Sequence, residues 1–169
     1  MRLLSIIGTR PQIVKASAFS KSIEKTKEIE EILVHTGQHY DRGLSDLFFE
    51  ELEISVPKYN LGVGSSTHAV QTADMMIKIE ELIEIEKPDA MLVYGDTNST
   101  LAGSLVAAKS HIPLAHIESG LRSFNKLMPE EINRIVTDRL SDILFCPTEA
   151  AVGNLIREGF EEDRVHLVG

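Results

Sequence analysis

The 169-residue chain has a single cysteine, Cys146, so no internal disulfide can form and a reducing, cytoplasmic setting is the expectation. It lacks an excess of basic charge: 17 Lys and Arg stand against 26 Asp and Glu, a formal charge of −9. That balance argues against nucleic acid or an anionic membrane as the main partner, although local cations can still bind phosphate. No apolar run approaches the ~20 residues of a membrane span. The first run, residues 3–7, is too short for a signal peptide and is followed by Arg10 and Lys15. There is no low-complexity segment, internal repeat or linker. The G-x-G-x-x-G fingerprint is also missing after that run, so no dinucleotide cofactor is indicated and no metal or other cofactor is expected.

What the chain does have is a regular alternation of short apolar runs and helical patterns. Residues 3–7, 32–36, 90–94, 114–117, 143–145 and 165–168 read as strands. Between them, helices are expected from Pro11 through Ile23, over 44–52, from a Thr67 cap to Glu86, and over 99–109, 129–140 and 148–158. Residues 56–66, with Pro57, Gly62 and Gly64, read as a loop. In the 67–86 helix, Val70, Ala73, Met76/Ile77, Ile79 and Ile83 keep roughly helical spacing and are assigned mainly to core packing. This order implies right-handed crossovers and an α/β fold with a doubly wound, mostly parallel, Rossmann-like sheet. The last predicted strand runs to Val168-Gly169, where such folds usually send the chain onward, so half of a larger protein is expected.

Three acids fall where such a sheet does chemistry. Asp96 follows the 90–94 run, Glu118 follows the 114–117 run, and Glu130 opens the helix begun by Pro129. Ligands bind outside the carboxyl ends of parallel strands. Each acid has a local alternative: helix capping in Asp96-Thr97-Asn98-Ser99-Thr100, a surface ion pair for Glu118, and an i,i+4 pair with Arg134 for Glu130. Gly8-Thr9-Arg10-Pro11 joins the first strand to the first helix, where exposed N–H groups and the Arg10 guanidinium suit an anion, with Lys15 about a turn onward. The alternative there is a tight turn with surface cations. His35 and His39 are four apart, but Gly37 interrupts any helix between them and no carboxylate completes a metal site. His116, in an apolar strand, reads as a satisfied core histidine, and Cys146 as buried packing.

Taken in order, Gly8-Thr9-Arg10-Pro11 with Lys15, His35-Thr36-Gly37-Gln38-His39, Gly95-Asp96-Thr97-Asn98-Ser99, His116-Ile117-Glu118-Ser119-Gly120-Leu121-Arg122 and Pro129-Glu130-Glu131-Ile132-Asn133-Arg134 closely resemble the non-hydrolysing UDP-N-acetylglucosamine 2-epimerases. The resemblance covers nearly the whole chain and implies the amino-terminal, Rossmann-like domain of a GT-B-type fold over 1–169. The carboxyl-terminal nucleotide-binding domain, which completes the site in the family, would lie outside this chain. It also implies a UDP-sugar substrate, elimination and re-addition of UDP through a 2-acetamidoglucal, and a homodimer. By motif position Asp96, Glu118 and Glu130 match the family's catalytic acids. Arg10, Lys15 and Arg134 match residues that assist substrate binding or catalysis, and Gln38 and His39 match a regulatory UDP-sugar site.

Gln12 stands where many members have Glu. With Arg122-Ser123-Phe124-Asn125 and Phe145-Cys146-Pro147-Thr148 it is similar to a sister branch acting on UDP-2,3-diacetamido-2,3-dideoxyglucuronate. A glycosyltransferase amino-terminal domain and a non-catalytic binding module are the readings from other classes.

Overall fold

The computed structural model describes residues 1–38 and 56–169, so the helix expected over 44–52, and His39, lie outside the described residues. Among the described residues seven strands form one sheet: β1 (Arg2–Ile7), β2 (Glu30–His35), β3 (Tyr59–Asn60), β4 (Ala90–Tyr94), β5 (Leu114–Ile117), β6 (Ile143–Cys146) and β7 (Val165–Leu167). Every pairing is parallel and the order is β3-β2-β1-β4-β5-β6-β7. The strand order reverses between β1 and β4, and a doubly wound sheet opens its ligand crevice at such a switch point.

Five α helices are described: α1 (Arg10–Ile23), α2 (His68–Glu86), α3 (Asn98–Lys109), α4 (Pro129–Leu140) and α5 (Glu149–Arg157). Their starts follow the local chemistry. Pro11 sits in the first turn of α1, the Thr67 hydroxyl accepts the Val70 N–H at 3.4 Å, and the Thr148 hydroxyl accepts that of Ala151 at 3.2 Å. Lys87, at φ +46, ends α2 in the left-handed conformation. Asp89 then ties the chain to β1, donating its N–H to the Arg2 carbonyl and accepting the Arg2 N–H at 2.7 Å.

The central strands are buried on both faces, which explains their unbroken apolar runs. On one face α2 and α3 pack Met75, Ile79, Leu82, Ala102 and Val106 against Leu4, Ile6, Met91, Val93 and Leu114. On the other, Ile13 and Ala16 of α1 cover Leu3, Ile7, Leu33, Leu92 and Tyr94. Ala151 and Leu155 of α5 cover Leu144 and Cys146. Each fully buried aliphatic side chain contributes roughly 1.5–3 kcal/mol.

Two expectations are corrected. Residues 56–66 contain the two-residue strand β3, paired as Val34↔Tyr59 and His35↔Asn60, which is too short to show a period. In α2 the buried positions are Gln71, Met75, Ile79, Leu82, Ile83 and Glu86, whereas Val70 and Ile77 are 49% and 58% exposed. The inward face is closed by two polar side chains. Gln71 bonds the Gly64 carbonyl and Asn98, and Glu86 meets Arg2, Lys58 and Tyr59. Among the described residues no helix is long and apolar enough to cross a membrane.

Candidate active site

The switch point is built from the β1–α1 and β4–α3 turns. A Cβ on Gly8 would collide with the hydroxyls of Ser99 and Thr36, so only glycine lets the first turn pass this close to the start of α3. Gln12 holds both turns. Its amide oxygen accepts the Gly8 and Thr9 N–H groups at 2.7 and 3.2 Å, and its amide nitrogen donates to the Tyr94 carbonyl at 2.6 Å and to the Thr97 and Thr100 hydroxyls at 3.0 Å. Donors at one end and acceptors at the other suit an amide. A carboxylate would set oxygen against oxygen at Tyr94, which gives the Gln at this position a physical reason.

Asp96 and Glu118 come to the same edge, each with a cation. Arg134 Nη1 lies 2.5 Å from Asp96 Oδ2, and Lys15 Nζ pairs directly with Glu118 Oε2. The two pairs are neighbours: a Cβ built on Gly95 would sit 3.0 Å from Glu118 Oε2 and 3.8 Å from Lys15 Nζ. Gly95 turns the chain at φ +63, and Glu118 itself adopts φ +74. That conformation costs a non-glycine residue on the order of 1–2 kcal/mol. It is held because the Glu118 and Ser119 N–H groups both donate to the Phe145 carbonyl at 3.1 Å. All four side chains remain partly open to solvent, from 11% for Arg134 to 34% for Asp96, so a ligand can reach them.

The i,i+4 pair expected between Glu130 and Arg134 does not form. Arg134 turns instead to Glu131, at 2.7 Å, and to Asp96. Glu131 is 1% exposed and also accepts the backbone N–H groups of Ser123 and Phe124 at 2.9 and 2.8 Å. Burial pushes its carboxyl up, but the Ser123 N–H, the Arg134 guanidinium and the Phe124 N–H outweigh that and bring it down to about 2. Glu130, its neighbour, is exposed in the first turn of α4, and no ion pair holds it among the described residues. Arg10 is exposed at the start of α1.

Gln38 is half-buried over α3, its amide oxygen accepting the Ser99 N–H at 3.1 Å and the Ser99 hydroxyl at 2.7 Å. His35, for which no metal role was expected, is buried, and burial holds its imidazole down at about 4. No cluster of three or more His, Cys, Asp or Glu suited to a metal occurs among the described residues. Cys146 is buried beside Ser119, and burial pushes its thiol up, as packing rather than nucleophilic use requires.

Sequence reasoning did not single out Asp138. It is fully buried on α4, beneath the acid-bearing turns, bonded to His116, Arg122 and the Gly120 N–H. The available signal was the spacing of Glu131, Arg134 and Asp138 at i, i+3 and i+7, a charged stripe where a packed helix would carry an apolar one. An apolar groove of about 510 Å³ between α2, α3 and α4, bounded by Met76, Leu101, Leu127 and Ile132, includes none of the acid or cation side chains above.

The chain matches known proteins over most of its length. Residues 21–169 match the family model described as UDP-N-acetylglucosamine 2-epimerase. A UDP-2,3-diacetamido-2,3-dideoxy-D-glucuronate 2-epimerase of Pseudomonas aeruginosa is 56% identical over 168 residues, covering 99% of this chain and 48% of that protein. A UDP-N-acetylglucosamine 2-epimerase of Methanocaldococcus jannaschii is 53% identical, covering 100% and 46%. The solved structure of the Methanocaldococcus jannaschii UDP-GlcNAc 2-epimerase, in complex with UDP-GlcNAc and UDP, superposes with a TM-score of 0.96 at 53% identity, over 100% of this chain and 46% of that one. MurG of Acinetobacter baumannii, 12% identical with a TM-score of 0.68 over 98% and 44%, shares the fold alone. The chain thus spans about half the length of the curated relatives it matches, with the architecture of the amino-terminal domain of a GT-B-type fold. By its matched segment, its relatives and its superposition, the chain belongs to the UDP-N-acetylglucosamine 2-epimerase family.

Proposed function

We propose that the chain is the acid-bearing half of a nucleotide-sugar 2-epimerase that interconverts UDP-N-acetylglucosamine and UDP-N-acetylmannosamine. The observation that carries this reading is the pairing of Asp96 with Arg134 and Glu118 with Lys15 at the β1/β4 switch point. Carboxylates alone would repel a diphosphate. Carboxylates each beside a cation, next to the amino-terminal end of α1 with Arg10, form a surface that admits a diphosphate and still offers proton acceptors.

The C2 proton of such a sugar is not adjacent to a carbonyl, so direct abstraction is very unfavourable. As the anomeric C1–O bond breaks, UDP leaves with the bonding pair and positive charge grows at C1, which acidifies C2–H. A carboxylate takes that proton and the C1=C2 bond of a 2-acetamidoglucal forms. A proton delivered to the other face of C2, with a diphosphate oxygen adding back at C1, completes the inversion. Asp96, Glu118 and Glu130 are the carboxyl groups assigned to proton transfer and charge stabilisation. Arg10, Lys15 and Arg134 are assigned to the departing diphosphate. No dinucleotide takes part. A carboxyl-terminal domain supplies the remaining uridine and diphosphate contacts, the working protein is a homodimer, and its location is the cytoplasm. Gln38 is assigned with His39 to a second, regulatory UDP-sugar site.

The 56% identity to the Pseudomonas aeruginosa relative supports UDP-2,3-diacetamido-2,3-dideoxyglucuronate as the second candidate substrate, with the same chemistry. The test is incubation in D2O with each sugar, using the chain alone and the chain joined to the carboxyl-terminal half of the Methanocaldococcus jannaschii relative. Deuterium at C2 with appearance of the epimer is the expected result. No exchange from either preparation refutes the proposal, and sugar transfer to an acceptor without exchange favours a glycosyltransferase.

A further inference from the structure

The three acids sit on three separate elements: Asp96 on the turn after β4, Glu118 on the turn after β5, and Glu130 on the first turn of α4. We propose that the buried His116–Asp138 pair is the positioning device that holds these elements in the relative placement the reaction needs. The inference rests on the epimerase reading for its catalytic consequence.

His116 stands on β5 opposite Val93 of β4 and is fully buried. One ring nitrogen, Nε2, lies 2.7 Å from the Gly95 carbonyl, directly before Asp96. The other, Nδ1, lies 2.7 Å from Asp138 Oδ1. The ring therefore bridges the Asp96 turn and the α4 carboxylate, one through each nitrogen. Asp138, also fully buried, accepts the Gly120 N–H at 3.1 Å, which pins the turn containing Glu118. Its second oxygen also meets Arg122 Nη1 at 2.7 Å. Arg122 in turn grips Glu158 through Nε and Nη2 at 2.7 and 2.8 Å. The buried Asp138 carboxylate thus faces the Arg122 guanidinium, the charge partner that a buried carboxylate needs.

Asp138 lies two turns along α4 from Glu131 and eight residues from Glu130, so the same carboxylate that pins the Glu118 turn also anchors the helix of the third acid. Together the two side chains reach both acid-bearing turns, His116 at the Gly95 carbonyl and Asp138 at the Gly120 N–H. The pair touches none of the acids' carboxylates, so its effect on chemistry is through placement, and a displacement of about 1 Å at such a site costs about 100-fold in rate.

Two measurements test this. First, amide hydrogen exchange on the unaltered chain should find the Gly120 N–H strongly protected. Exchange as fast as that of the exposed Asn125 N–H overturns the proposal, and needs no variant that might fail to fold. Second, His116→Gln and Asp138→Asn, made in the preparation that shows C2 exchange, should lower kcat about 10- to 100-fold. KM should stay within about twofold, with the fall exceeding any loss of folded protein. A kcat within about threefold of the unaltered protein in both variants overturns the inference while leaving the epimerase reading intact. An unaltered protein with no C2 exchange refutes the epimerase reading and the catalytic consequence with it. The Gly120 exchange then separately reports whether the clamp exists.

Discussion

Replacing Glu131 by Gln keeps the shape of a buried side chain, removes its charge and turns one acceptor oxygen into a donor. In the folded chain its carboxylate receives the N–H groups of Ser123 and Phe124 and two from Arg134, at distances from 2.7 to 3.1 Å. The carboxyl falls from 4.5 to about 2 despite burial. At about 1.4 kcal/mol for each tenfold change in proton affinity, that difference is worth roughly 3 kcal/mol. Breaking a buried pair costs about 3–5 kcal/mol. Arg134 keeps Asp96 as a partner, which places Glu131→Gln near the lower figure. For a chain of this size about 3 kcal/mol lowers the melting temperature by roughly 6–12 °C. Because folding depresses this carboxyl, its contribution is complete above about 4.5 and fades as pH falls towards about 2. Urea melts of both proteins at about pH 7, 4 and 3 should therefore show a gap that is full at the first and shrinks towards the last. A gap below about 0.5 kcal/mol at neutral pH, or one that does not shrink in acid, refutes the assignment.

Asp96→Asn and Glu118→Gln should each lower C2 deuterium incorporation by at least about 100-fold, read by mass spectrometry, with melting little changed because both side chains are partly exposed. Lys15→Met should raise KM for the UDP-sugar more than it lowers stability, since an exposed ion pair contributes at most about 1 kcal/mol to folding. Gly8→Ala should destabilise by about 1–3 kcal/mol in denaturant melts, because its Cβ would strike the Ser99 and Thr36 hydroxyls. Gln12→Glu should cost about 1–3 kcal/mol at neutral pH by facing a carboxylate oxygen towards the Tyr94 carbonyl.

The strands were legible because a parallel sheet covered on both faces demands continuous apolar runs, and 90–94 is such a run, bounded by Pro88-Asp89 and Gly95-Asp96. Helix starts at Pro11, Thr67 and Pro129 were legible because capping chemistry is local. What stayed hidden depends on rotation and distance. Glu130 and Glu131 are adjacent in sequence yet about 100° apart around α4, so one faces solvent and the other is sealed behind the Ser123–Phe124 backbone. Local rules assigned Arg134 to the acid four residues away. Tertiary structure instead offered a buried carboxylate three residues away and Asp96 across the cleft. The same limit concealed Asp138, whose partners His116, Gly120 and Arg122 are 16 to 22 residues distant. Helix α4 thus violates amphipathic expectation on its inner face, with Glu131, Asn133, Thr137 and Asp138 buried and Ile132 exposed. A helix that buries charge in place of an isoleucine does so at a stability cost unless those charges are partnered. Here each is partnered by a residue of an acid-bearing turn or of the loop beside it, so the departure from a simple core pattern coincides with the elements that must hold the cleft in shape.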